Sequence, residues 1–88
     1  MPSIIDDTVK VLESMNLRAF PVESPPGYSS IVVNLPHDAQ AYFVWAKIDK
    51  DDFAFRLARF WTSDNPFSTL VIPDLIHALS QTRDMARQ

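Results

Sequence analysis

A chain of 88 residues with 47% apolar side chains and a single Gly supports one domain spanning residues 1–88, since two would each fall near the size at which a self-standing core fails. The complete lack of Cys removes disulfides, thiolate chemistry and Cys-ligated zinc or iron–sulfur sites. Eight Lys and Arg against eleven Asp and Glu leave no positive excess for neutralising phosphates, which argues against direct nucleic-acid binding.

No stretch approaches the roughly eighteen apolar residues of a membrane helix. The acidic start Met1-Pro2-Ser3-Ile4-Ile5-Asp6-Asp7 lacks the basic region and apolar run of a secretory leader. A cytoplasmic, unprocessed chain with no membrane contact is the expectation.

Residues 3–15 fit a helix. Ser3 and Asp6 have the spacing of a capping box, and Asp6 and Asp7 suit the positive end of the helix dipole. Ile5, Val9 and Leu12, with Ile4, Val11 and Met15 beside them, form an apolar stripe. Asn16 is a residue that adopts the left-handed conformation ending a helix, with Leu17 packing back.

Ala19-Phe20-Pro21-Val22 reads as an edge strand, because Pro21 cannot donate to a ladder. Ser24-Pro25-Pro26-Gly27 predicts a type II turn, with Pro26 fixing φ and Gly27 supplying a positive φ. Ser29 to Leu35 is a strand that buries Ile31, Val33 and Leu35, and Pro36-His37-Asp38-Ala39 is a connection. Residues 40–48 form a strand with Tyr42, Val44, Ala46 and Ile48 on one face and Phe43 and Trp45 on the other. Such a strand is central, covered on both sides, or turns one face to a partner.

Residues 52–61 fit two periods. As a helix, Phe53, Leu57 and Trp61 oppose Asp52, Arg56, Arg59 and Ser63; as a strand, Phe53, Phe55, Leu57 and Trp61 share a face interrupted by Arg59. Aromatic content and the short Asp49-Lys50-Asp51 connection favour the strand. Residues 62–66 are a polar turn and 68–72 a short strand. Pro73 suits the first position of a second helix and Asp74 its first turn, with Leu75, Ile76 and Leu79 inward and His77, Gln81 and Asp84 outward. The expected fold is α+β: N- and C-terminal helices on one face of a three- to five-stranded, mainly antiparallel sheet. Its helix–sheet–helix order resembles double-stranded RNA-binding domains and small secretion chaperones in sequence of elements only, and that order carries no function. Pro73-Asp74-Leu75 also stands where the former would have a lysine cluster.

No motif marks a catalytic centre. His37 and His77 have no ligand or nucleophile spacing and read as solvated surface residues. Asp49, Asp51 and Asp52 suggest a calcium loop, but Ala54 replaces its glycine and Phe60 its closing glutamate. Gly27 has no phosphate-loop context, and Ser29 and Ser30 have no nucleophile elbow. Neither a cofactor nor a metal is expected.

The aromatic surplus, two Trp, two Tyr and six Phe, is the most informative feature. Large rings anchor protein interfaces at low ordering cost, and arginine supplies planar donors beside them. The expectation is a non-catalytic protein-binding module: an inhibitor, immunity-type factor, adaptor or chaperone subunit. Phe43, Trp45, Arg56, Arg59 and Trp61 are its candidate partner-binding residues, and homodimerisation through the sheet is a variant. Two alternatives are a nucleic-acid module using aromatics on the sheet, which would want more basic residues, and a small metal-dependent enzyme.

Overall fold

Helix α1 (Ile4–Ser14) leads into strands β1 (Arg18–Val22), β2 (Tyr28–Leu35), β3 (Ala39–Lys47), β4 (Phe53–Thr62) and β5 (Asn65–Ile72), followed by helix α2 (Leu75–Ala86). The computed structural model describes residues 4–50 and 52–87, the side chains of 66–68 excepted. Each strand pairs antiparallel with the next, in sheet order β1-β2-β3-β4-β5. The α+β expectation holds, with the sheet at the upper end of its expected size.

Local chemistry explains the chain reversals. Asn16 takes φ 66°, its N–H donates to Glu13 O at 3.0 Å, and the Leu17 N–H donates to Leu12 O at 3.3 Å. That pair of bonds is a Schellman ending of α1. Pro25 O accepts from the Tyr28 N–H at 3.1 Å across Pro26 and Gly27, the latter at φ 87°, as a type II turn requires. Between β2 and β3, His37 (φ 62°) and Asp38 (φ 56°) form the centre of a turn closed by the Ala39 N–H to Pro36 O at 3.4 Å. These two residues place left-handed backbone within the three-residue connection 36–38 that separates the paired Leu35 and Ala39.

Gly27 has open space around the position of a Cβ, so its constraint is purely conformational. Gly27→Ala is therefore expected to destabilise by about 1–2 kcal/mol, the cost of placing an L side chain in left-handed backbone. Chemical denaturation measures it; an unchanged midpoint would mean the turn does not need its glycine.

The register of the β2–β3 hairpin decides the core. Leu35 lies opposite Ala39, Val33 opposite Ala41 and Ile31 opposite Phe43, so odd-numbered residues of both strands share one face. All of these are buried, and Trp45 joins them at 0% exposure. Phe43 stacks on Trp45 with centroids 6.2 Å apart, and Phe55 meets the Trp45 ring edge-on at 5.5 Å. Leu12 from α1 and Ala78 from α2 belong to the same core. Both helices thus cover one face of the sheet.

Strand β4 resolves the two periods read for residues 52–61. Val44 pairs with Leu57 and Trp45 with Phe55, leaving Arg56 as an extra, unopposed residue. This β-bulge re-phases the strand. Before it Phe53 and Phe55 pack on the core; after it Ala58 and Phe60 do. The inward spacing of two, three and two fits neither a regular strand nor a helix. A strand face shared by Phe53, Phe55, Leu57 and Trp61 is therefore corrected: the bulge sends Leu57 and Trp61 to the opposite side.

Helix α2 begins two residues later than Pro73 at its first position would give. Asp74 is the N-cap, its carboxylate accepting the His77 N–H at 2.8 Å, which satisfies one otherwise unpartnered amide. Of the expected inward stripe, Leu75 and Leu79 do pack against the core beside the buried Ala78 and Thr82, whereas Ile76 is 72% exposed and is corrected to the outer side. In α1 the buried pair is Thr8 and Leu12, and Ile4 and Val11 are exposed. The two buried threonines bond to the carbonyl four residues back, Thr8 Oγ1 to Ile4 O at 2.7 Å and Thr82 Oγ1 to Ala78 O at 2.8 Å. Their hydroxyls are thereby satisfied within the helix. The Ser3 cap and the Asp51 part of the calcium-like triad lie outside the described residues.

Candidate partner-binding face

The face of the sheet turned away from the helices is built by the residues that alternate with the core. Antiparallel pairing aligns them in rows across the strands. One row runs Phe20, Val32, Tyr42, Arg59 and Val71, crossing all five strands. Beside it lie Val22, Ser30, Val44 and Leu57 on one side and Arg18, Asn34, Gln40 and Trp61 on the other. An antiparallel sheet with one solvated face ordinarily alternates hydrophobic-in with polar-out. Here the outward positions are largely apolar or aromatic. Phe20 and Val71 are exposed, and Val32, Tyr42, Val44, Leu57 and Trp61 are only half-buried although no helix lies over them.

The polar members are Arg18, Ser30, Asn34, Gln40 and Arg59. Gln40 Nε2 donates to Asn34 Oδ1 at 3.2 Å, and Ser24 Oγ lies 2.8 Å from Ser30 Oγ beneath the β1–β2 connection. A depression of about 270 Å³ lies between Pro25, Tyr28, Tyr42, Val44, Leu57 and Arg59. Near the β2–β3 hairpin a second, of about 410 Å³, is bordered by Asn34, Asp38, Gln40, Trp61 and Ser63. A third of about 360 Å³ lies between the end of β4, Leu70 and the α2 residues Gln81 and Met85. All three are open and shallow clefts.

Charge is segregated by element. The strands contain Arg18, Lys47, Arg56 and Arg59 but neither Asp nor Glu. Among the described residues every acid therefore falls in a helix, a cap or a connection. Asp and Asn are poor strand formers, which accounts for part of this pattern. The consequence is still a face bearing positive charge alone, in a chain of net charge -3. Among the described residues the guanidinium groups of Arg18, Arg56 and Arg59 have no ion-pair partner.

The five residues singled out from the sequence divide between the two faces. Arg59 and Trp61 lie on the uncovered face, and Arg56 is exposed at the bulge beside Leu57. Phe43 and Trp45 do not join them: both are 0% exposed, at the centre of the core. Their assignment to an exposed patch is corrected, because the hairpin register forces them onto the face that Ile31, Val33 and Leu35 already bury. The residues missed were Tyr42, Val44 and Leu57 with Phe20 and Val32. The signal that identifies them is the register itself: Leu35 pairs with Ala39 across the three residues 36–38, which pairs odd-numbered residues with odd.

His37 sits in its hairpin turn and His77 in the first turn of α2, far apart in the fold. Among the described residues no three of His, Asp and Glu gather where they could hold a metal ion. No described helix is long and apolar enough to cross a membrane. Comparison of the chain with protein-family models, with curated proteins and with solved structures gives no match.

Proposed function

We infer that this domain is a non-catalytic protein-binding module that holds or masks a partner against its uncovered sheet face. The observation that carries the reading is the outward apolar set: Val32, Tyr42, Val44, Leu57 and Trp61 on three adjacent strands, with Phe20 and Val71 continuing it to both edges. Solvated strands place polar residues at such positions, and contiguous apolar surface of this kind marks interaction sites. Five strands of this length present a surface roughly 20 Å by roughly 27 Å. That projection, about 540 Å², is about two-thirds of the roughly 800 Å² per partner of a standard protein interface.

Trp61, Tyr42 and Arg59 are residue types that dominate interface energetics, and all three stand on this face. An inhibitor, an immunity-type factor, an adaptor and a chaperone subunit would each use it in this way. The depression beside Tyr42 contains Arg59 and no carboxylate or imidazole, and the larger one beside Trp61 has Asp38 as its one ionisable lining residue, so neither offers paired groups for general acid–base work.

Site-specific photo-crosslinking in the native cell tests the reading. A photoreactive residue in place of Val44 is expected to trap a discrete protein, while one in place of Lys10, exposed on α1, is not. Silence at Val44, or the same products at both positions, would refute it.

A further inference from the structure

We propose that the partner segment taken by this face combines apolar side chains with carboxylates, which Arg59 and Arg18 receive. The proposal rests on the protein-binding reading above and specifies its chemistry. Its basis is charge complementarity. Arg59 stands in the middle of the apolar row, flanked across the strands by Tyr42 and Val71. Arg18 stands at the β1 edge of the next row. Neither guanidinium has an ion-pair partner among the described residues, and no strand supplies an acid. A partner that covered this face with apolar groups alone would strip water from Arg59 without replacing its hydrogen bonds. A carboxylate opposite it restores those bonds in the bidentate geometry that guanidinium favours.

The same charges argue against the other occupants. In a two-fold dimer made face to face, each copy presents the same patch. Arginines then meet a surface containing arginines and no acid. A nucleic acid would have to run past the acids that border the sheet at both strand ends: Asp38 and Asp64 at one, Glu23, Asp49 and Asp52 at the other. A polyphosphate chain carries its charge along its whole length and is repelled there. A protein segment can place its carboxylates over Arg59 and leave across the β1 and β5 edges, neither of which contains an acid.

Three synthetic helical peptides of about 16 residues, long enough to cross the face, provide the probe. All carry one leucine stripe, flanked by Glu in the first, Gln in the second and Lys in the third. Each is titrated into the isotope-labelled whole chain, with affinity and amide shifts as readouts. The Glu peptide is expected to bind on the order of tenfold more tightly than the Gln peptide, with shifts centred on Val32, Tyr42 and Leu57. This preference should shrink between about 50 mM and about 500 mM salt as screening grows. The exposed double variant Arg18→Gln/Arg59→Gln should retain the fold by circular dichroism and lose the preference for Glu over Gln.

Equal binding of the Glu and Gln peptides, or tighter binding of the Lys peptide, would overturn the proposal. Concentration-dependent self-association with shifts on the same residues would overturn it in favour of a second copy. Displacement of the Glu peptide by single-stranded RNA would overturn it in favour of nucleic acid. If no peptide binds while the Val44 crosslink still traps a protein, the carboxylate chemistry fails and protein binding survives. If the crosslink is silent as well, both fail.

Discussion

Replacing Trp45 by alanine is expected to destabilise the domain by about 3–5 kcal/mol, the range for emptying a large aromatic from a packed core. In a domain of this size each kcal/mol shifts the melting temperature by roughly 4–8 °C, so the variant should melt about 12–40 °C lower. Trp45 is 0% exposed and in ring contact with both Phe43 and Phe55. Its loss leaves a cavity at the centre of the strand on which the sheet is built. The comparison that gives the result meaning is Trp61→Ala. Trp61 is half-buried on the face that no helix covers, so its truncation should cost much less stability while removing a large ring from the proposed binding face. A Trp61→Ala domain less stable than Trp45→Ala would show that the two faces have been assigned the wrong way round.

Trp45 also carries a cost of its own. Among the described residues its Nε1 is a buried donor without a hydrogen-bond partner. Leaving such a group dry forfeits about 1–3 kcal/mol. Trp45→Phe gives up part of the ring volume but sheds that penalty, so it should stay within about 1–2 kcal/mol of the parent by urea denaturation. A loss as large as that of the alanine variant would mean that the indole N–H is satisfied in solution.

Much of this arrangement was legible in the residues because it is dictated locally. Asn16 ends α1 and Pro26-Gly27 forms a type II turn for reasons contained within four or five residues. Ile31, Val33 and Leu35 bury together because β-branched and apolar side chains alternate along one strand. The orientation of β3 was not local. Both its faces are apolar, so composition could not decide whether Phe43 and Trp45 or Tyr42 and Val44 turn inward. The decision lies in how residues 36–38 close the hairpin, since a change of one residue in register exchanges the faces.

The candidate face was obscured for the same reason. Arg59 and Trp61 were identifiable as interface residue types, yet their companions Tyr42, Val44 and Leu57 could be grouped with them only once the strands were paired. The charge pattern was similarly hidden. Basic residues look scattered along the chain, and their separation from the acids emerges only when the strand boundaries are drawn. The start of α2 was displaced because Asp serves either as a cap or as a first-turn residue; the His77 N–H to Asp74 bond selects the cap.

Single-residue deletions should separate the bulge from the rest of the sheet. Removing Arg56 makes Phe55 and Leu57 consecutive, opposite Trp45 and Val44, which are already consecutive in β3. Phe53 and Phe55 still point inward, Ala58 and Phe60 still point inward, and Leu57, Arg59 and Trp61 still point out. The deletion is thus expected to preserve the fold at a cost of about 1–2 kcal/mol from lost local twist. Removing Tyr42 from β3, where no bulge can absorb the change, shifts half the strand by one residue. Either Phe43 and Trp45 leave the core or Gln40 enters it. Losing two large aromatics at about 3–5 kcal/mol each takes the total to the order of a small domain's entire stability. Amide spectra of the two deletion variants should therefore be dispersed and native-like for Arg56, and collapsed for Tyr42. Equal damage from both would mean that Arg56 is held in place by contacts beyond its role as the unopposed residue. Survival of the first also keeps Arg59 and Trp61 on the uncovered face, so the Val44 crosslink proposed above should be retained in a domain whose fourth strand has become regular.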